Sequence, residues 1–400
     1  MIWTDELREF ILLHRNDDPL QLVLQQKKYP QWDMKFVAQQ VEGYRMATDK
    51  IPSLAANTDF VYPPKLNREQ CSSEITATFK GAEFATNKNI ADITGGLGID
   101  SIFMAKHAKS LVYIEQNEEL YTIASHNFKA IHQDNIAPYC GNGIDFLQST
   151  DRYFDLIYID PARRDDNGKK VSAFENCTPN ILENMDLLLG KADKLLIKSS
   201  PMLDILLATK QLQHVEEIII FAVKNECKEV LFLCSKNSET PNPKYTCINI
   251  NSNGSVDKIV FDRNHENELN IPYTSTIHNY VYDPNVALLK GGAFKTLSQL
   301  YNIPKLHRNT HLYTSDKRIT DFPGRIFKVI KDMPLSTKEI ATAIPDGKAH
   351  VVTRNYPTPS EQLQKKLKLK EGGNLFVIAL TKSDNSKTII LCERDRKSVV

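Results

Sequence analysis

Between residues 89 and 235, short apolar runs alternate with stretches of helical periodicity, and this alternation constrains the chain more than any other feature. The strand candidates are 90–93, 110–115, 136–140, 156–160, 194–197, 217–223 and 230–234. Helical spacing fills 99–107, 117–132, 178–190 and 202–213. Apolar strands separated by helices predict a parallel sheet covered on both faces. The last two strands break the rule. Too few residues part "EEIIIFAVKN" from "ECKEVLFLCSK" for a parallel crossover, so they must form a hairpin. The seventh strand is therefore expected to run antiparallel to the others.

The rest of the 400-residue chain exceeds what one core organises. Residues 1–60 read as helical, with Thr4 and Asp18 as caps and Pro19 in a first turn. Residues 61–67 read as extended, because proline disfavours helix in the residue before it. Residues 68–85 read as one further helix. Past 236 the sequence turns rich in Asn, Ser and Pro, which places a boundary near 240. Beyond it, 322–330 and 374–382 read as strands, and 335–344 and 360–369 as helices. A net charge of +1 excludes a polycation, so any nucleic-acid face must be local. Apolar runs such as "EIIIFAV" (217–223) are far shorter than the roughly 20 residues of a membrane span. The acidic start "MIWTDELREF" is unlike a secretory leader. A cytoplasmic protein without a membrane partner is expected. Seven scattered cysteines without a CxxC pair read as reduced thiols, with no metal site.

The first strand runs into "DITGGLGID" (92–100). Gly95, Gly96 and Gly98 allow a tight turn and a close approach to a ligand. A dinucleotide fingerprint starting at Gly96 would need glycine where Ser101 stands. The spacing from Asp92 to Gly96 and Gly98 instead resembles that of S-adenosylmethionine-dependent methyltransferases. That ligand carries an ammonium and a carboxylate in place of phosphate, which suits a nearby acid and exposed backbone groups. The second strand ends in Glu115, placed for a ribose diol. The third leads to Asp145, able to accept from an adenine amino group. Acids at the C-terminal ends of successive strands mark the ligand crevice of an open α/β sheet. The segment 80–235 thus resembles the class I methyltransferase fold, an α/β Rossmann-like seven-stranded sheet with an antiparallel last strand. The resemblance implies S-adenosyl-L-methionine as cofactor. It assigns Asp92, Thr94, Gly95, Gly96 and Gly98 to the methionine end, Glu115 to the ribose and Asp145 to the adenine. Asp100, closing the same stretch, joins them as a candidate contact. Thr94 departs from the pattern, since many members carry a first glycine there.

"YIDPARRDDNGKK" (158–170) ends the fourth strand in a carboxylate, a rigid proline and two arginines. Asp160-Pro161-Ala162-Arg163 resembles the D-P-P-R-type motif of several RNA methyltransferases. By that resemblance Asp160 and Pro161 orient the acceptor atom and Arg163 holds substrate phosphate, for which a planar bidentate donor suits. The plainer alternative pairs Arg163 and Arg164 with Asp165 and Asp166 on a surface loop. Pyrimidine-C5 enzymes place a cysteine after the fifth strand. Here "IKSSPMLD" (197–204) has serines, which disfavours carbon methylation, and Lys198 reads as a strand-end surface lysine.

From 303 to 400 there are 19 Lys and Arg against 10 Asp and Glu. "RNTHLYTSDKR", "FPGR", "TRNYP" and "KKLKLK" mix bases with aromatics and turn residues, a composition suited to phosphate backbones. Together with "EQCSSEITATFK", "NECKEVLF" and "YDPNVALLKGGAFKTL", these stretches resemble one bacterial family along nearly the whole chain. It comprises a helical N-terminal extension (1–80), a class I methyltransferase domain (81–240), a small ferredoxin-like domain (241–320) and a THUMP-like domain (321–400). The resemblance implies methylation of tRNA or rRNA at a base nitrogen or ribose oxygen, with RNA held by the basic C-terminal region. Competing readings are a methyltransferase acting on a protein or small molecule, and a non-catalytic RNA-binding protein with a vestigial pocket.

Overall fold

The computed structural model describes residues 3–163, 174, 177–236 and 242–395. The alternating region folds as expected. Strands β1 (Asn89–Asp92), β2 (Ser110–Glu115), β3 (Ile136–Cys140), β4 (Phe154–Ile159), β5 (Ala192–Ser199), β6 (Val215–Val223) and β7 (Glu226–Ser235) all form. The pairs β1–β2, β2–β3, β1–β4 and β4–β5 are parallel. Ala91, for example, lies opposite Ile157, and both are fully buried. The sheet does not stop at seven strands. Two more, β8 (Lys244–Ile250) and β9 (Val256–Asp262), extend it to nine in the order β9-β8-β6-β7-β5-β4-β1-β2-β3. β8 runs parallel to β6 and antiparallel to β9. The turn-rich stretch after 250 is therefore a hairpin loop inside the sheet, with Gly254 at φ +85°.

The β6–β7 hairpin turns on Lys224 and Asn225 alone, at φ +50° and +60°. Two residues with positive φ make the turn whose twist matches that of the flanking strands. Asparagine tolerates this conformation well, and Val286 N–H further fixes Asn225 by donating to its side-chain oxygen (2.9 Å).

By compactness the chain divides into two units, residues 1–216 with 231–240 and residues 217–230 with 241–400. In the first, helices α1 (Asp5–Leu13), α2 (Pro19–Leu24) and α3 (Met34–Lys50) start at Thr4, Asp18 and Asp33, whose side chains accept first-turn N–H groups. Leu7, Ile11, Leu22, Met34, Val37 and Val41 form their core. The helix expected over 68–85 is broken. Lys65–Gln70 forms one short helix and α4 (Glu74–Phe84) another. Cys71 and Ser73 between them have extended backbone, and the Ser73 hydroxyl accepts from Thr76 N–H to start α4. Serine competes with helix by offering such local bonds. α5 (Ile99–Ala105), α6 (Glu118–Ala130), α7 (Gly143–Ser149), α8 (Ile181–Lys191) and α9 (Ile205–Leu212) fill the gaps of the alternation. Among the described residues no helix is long and apolar enough to cross a membrane.

The second unit carries a six-stranded sheet built from β10 (Tyr280–Pro284), β11 (Tyr313–Ser315), β12 (Gly324–Met333), β13 (His350–Arg354), β14 (Leu375–Thr381) and β15 (Lys387–Arg394). Their order is β11-β10-β12-β15-β14-β13. Along β14, Val377 and Ala379 enter one core while Ile378 and Leu380 enter another. Period-two alternation between apolar side chains means that the strand is covered on both faces.

Asp283 on β10, only 2% exposed, receives Arg354 Nη2 at 2.9 Å and the Arg325 guanidinium as well. Those arginines belong to "TRNYP" and "FPGR", and Arg318 pairs with Asp395. Three cations of the C-terminal surplus are thus engaged inside the unit. Replacing Asp283 by Ala should cost about 3–5 kcal/mol, because two half-buried guanidinium groups lose their counter-charge. Urea unfolding of Asp283→Ala against wild type measures it, and a loss under about 1 kcal/mol contradicts the clamp.

Candidate functional site

β1 ends in Asp92, and the chain then passes through the loop 93–98 into α5. Asp92 is buried. Its Oδ1 accepts Thr94 N–H (3.2 Å) and its Oδ2 accepts the Ser101 hydroxyl (2.5 Å). Burial pushes the carboxyl up to about 7, against the opposing pull of these bonds. Two glycines of the loop are required for different reasons. A Cβ at Gly95 would lie 2.1 Å from the Tyr113 ring. Gly96 sits at φ +56°, and a Cβ there would meet nothing nearer than the Thr94 carbonyl at 3.9 Å. One glycine lets an aromatic ring close under the loop; the other leaves its outer face open.

Glu115, at the end of β2, closes the loop from the side. Its Oε2 accepts Gly96 N–H (2.8 Å) and its Oε1 accepts Asn117 N–H (2.7 Å). Thr94 has its own task. Its hydroxyl accepts the backbone N–H of Asp160 (2.7 Å) and so ties the loop after β1 to the end of β4. A glycine here would leave that amide without this partner, which gives a physical reason for the departure from the usual loop.

Asp160 stands one residue past β4, and its Oδ2 takes the Lys198 ammonium at 2.6 Å. Pro161 follows, half-buried. Ala162 and Arg163 pair antiparallel with Thr178 and Cys177. Arg164, Asp165 and Asp166 lie outside the described residues. Asp145 is exposed in the first turn of α7, and no bond among the described residues joins its carboxylate to Asp92, Glu115 or Asp160. Asp100 is buried and committed. Its Oδ1 faces the Lys80 ammonium at 3.1 Å, and its Oδ2 accepts the hydroxyls of Ser72 and Tyr158, each at 2.7 Å. Burial works to raise this carboxyl, but Lys80 and Lys198 outweigh it and hold it below the usual carboxylate range.

Lys198 corrects the expectation of a surface lysine. Its side chain is 12% exposed and bonds both Asp160 and Ser72. It ends a strand whose neighbour β4 delivers a carboxylate at the same level, so the ammonium turns inward. Lys80, Ser72 and Tyr158 also went unread. Lys80 carried a usable signal, for it shares the buried stripe of α4 with Ala77, Gly81 and Phe84. A lysine on an apolar stripe requires a buried partner. Burial pushes the Cys227 thiol up to about 11, away from the thiolate form.

Residues 280–323 match a family described as a ferredoxin-like domain, and residues 324–394 one described as a THUMP domain-like fold. Over 99% of its length the chain superposes on a candidate methyltransferase from Porphyromonas gingivalis W83, seen in a crystal structure. The TM-score is 0.88 and the identity 30%, and 100% of that chain is covered. An uncharacterized RNA methyltransferase of Mycoplasma mobile is 28% identical over 153 residues, 34% of this chain; the match spans only 39% of that relative's length.

The raised Asp92 has a consequence for stability. The folded state keeps a proton that the unfolded chain, with an ordinary carboxyl near 3.9, releases. The stability it contributes is complete below about pH 4 and is lost as pH rises to about 7, where the folded carboxyl ionises too. The melting temperature of Asp92→Asn relative to wild type should therefore rise between pH 4 and pH 7 and level off above. A difference that does not vary with pH contradicts the buried, protonated acid.

Proposed function

Because the chain belongs to the family of methyltransferases that carry a C-terminal THUMP-like domain, we propose that it transfers a methyl group from S-adenosylmethionine to RNA, at a base nitrogen or ribose oxygen, with Asp160 at the acceptor. The observation that carries this reading is the bond from Asp160 N–H to Thr94 Oγ1, which makes the glycine loop and the acceptor motif one connected unit. The loop fits such a cofactor. The face of Gly96 is open where a Cβ would stand, and Asp92 and Glu115 flank it with carboxyl groups bonded to its backbone and to Ser101.

In this reading Asp92 and the 94–98 backbone hold the methionine end, Glu115 the ribose and Asp145 the adenine. When bound, the cofactor supplies a methyl group activated on a sulfonium. Asp160 and the rigid Pro161 hold the acceptor atom in line, and orientation of this kind accounts for much of the barrier reduction open to a protein in methyl transfer. Arg163 is the candidate for a nearby substrate phosphate.

The RNA-binding part of the proposal rests on "KKLKLK". Lys365, Lys366, Lys368 and Lys370 are exposed, while Leu367 and Leu369 between them are buried. With Arg318, Arg325 and Arg354 engaged in ion pairs, this exposed lysine cluster is the candidate phosphate contact of the surplus.

Titration calorimetry should detect binding of S-adenosylhomocysteine, weakened in Glu115→Ala by roughly 1–3 kcal/mol through the lost ribose and loop bonds. Binding of NAD in its place, or of no nucleoside, refutes the cofactor. Replacing the four lysines by Gln should lower RNA affinity and flatten its log–log salt dependence by up to about 3–4 units. An unchanged slope moves the RNA contact elsewhere.

A further inference from the structure

We infer that Lys198 is a positioning residue of the transfer site, acting through Asp160, and that Ser72, ahead of the first strand, completes the arrangement; the inference rests on the methyl transfer proposed above. Asp160 has a side chain 37% exposed, with no backbone bond to its carboxylate among the described residues. Such a group samples several rotamers unless something holds it. Lys198 Nζ donates to its Oδ2 at 2.6 Å. That ammonium is itself fixed from behind by Ser72 Oγ at 3.0 Å and faces Asp100 Oδ2 at 3.8 Å.

Ser72 is the joint. Its hydroxyl donates to Asp100 Oδ2 at 2.7 Å and lies within 3.4 Å of the Lys80 ammonium. Lys80, fully buried, faces Asp100 at 3.1 Å. The four charges then sort into an inner pair, Lys80 with Asp100, and an outer pair, Lys198 with Asp160. The inner pair is anchored on α4 and α5, and so it presents the outer pair from a rigid base. The break between the short helix and α4 is what lets Ser72 reach inward.

An ion pair kept only for stability would contribute little at this exposure and would leave turnover alone. A positioning pair behaves differently, since a displacement of about 1 Å at an acceptor can cost roughly 100-fold. The test uses the full chain, methyl-labelled S-adenosylmethionine and total RNA from a strain lacking the gene. Lys198→Met should lower kcat by about 100-fold while S-adenosylhomocysteine affinity and RNA KM stay within about twofold. Ser72→Ala should show a smaller loss of the same kind. In a double-mutant cycle, Lys198→Met should add little to Asp160→Asn, because the lysine acts through that carboxylate. Wild-type turnover in Lys198→Met, or multiplicative losses in the double variant, overturns the inference. Should Lys198→Met not fold, Ser72→Ala in the same cycle decides. Should the wild type bind S-adenosylhomocysteine yet label no RNA, the proposed RNA substrate fails, and the crystal structure of Lys198→Met judges the positioning separately. An Asp160 side chain that leaves its place there supports the inference; one that keeps it refutes it.

Discussion

The first unit depends on one buried carboxylate. Asp100 gathers Lys80 from α4, Ser72 from the preceding break, Tyr158 from β4 and, at longer range, Lys198 from β5. An apolar cluster of equal volume could fill the same space, since buried ion pairs often give no net stability over well-packed hydrophobes. It could not set directions. Hydrogen bonds to a fixed carboxylate orient each partner, among them Tyr158, two residues before Asp160. The acid at the tip of β4 is answered from two sides, by Thr94 at its backbone and by Lys198 at its side chain.

Much of this was legible in the chain, and the reason is periodicity. Ser110–Glu115 and Ile136–Cys140 agree with their expected limits to the residue. The hairpin after Val223 follows from length alone, because two residues cannot cross a sheet. The single helix expected over 68–85 is broken because the two serines at the break sit within an otherwise helical pattern, and the local cap of Ser73 acts there together with the long-range bond of Ser72 to Asp100. Beyond 240, Asn, Ser and Gly mark turns, but a turn within a sheet and a linker between domains have the same composition, so the pairing of β8 with β6 is not legible there. Lys198 was read as surface because charge on a strand end usually faces water. Its partner Asp160 is 38 residues away in the chain, beyond the reach of local pattern.

The C-terminal unit shows how far a charge count can mislead. Arg325 and Arg354 lie in motifs that read as basic and exposed, yet both converge on Asp283. The lysines of 365–370 have the same formal charge and a different fate, because leucines alternate with them and are buried in their place. Patterning decides which of these cations face solvent, and the sum of charges does not.

The strand order has a consequence for how the chain must assemble. β7 lies between β5 and β6, although it is made after both. During synthesis β5 emerges with its outer edge bare, and β6, the next strand, is not its final neighbour. Parallel docking of β6 against β5 would be a topological trap, since β7 could then enter only by prising them apart. The two-residue turn at Lys224–Asn225 guards against this. A hairpin that closes within microseconds of its second arm appearing can dock as a preformed pair, presenting β7 to the waiting edge. Until then an unpaired edge stays open to other chains. From Ser199 to Ser235 the growing chain thus carries a bare sheet edge whose final neighbour has not yet been made.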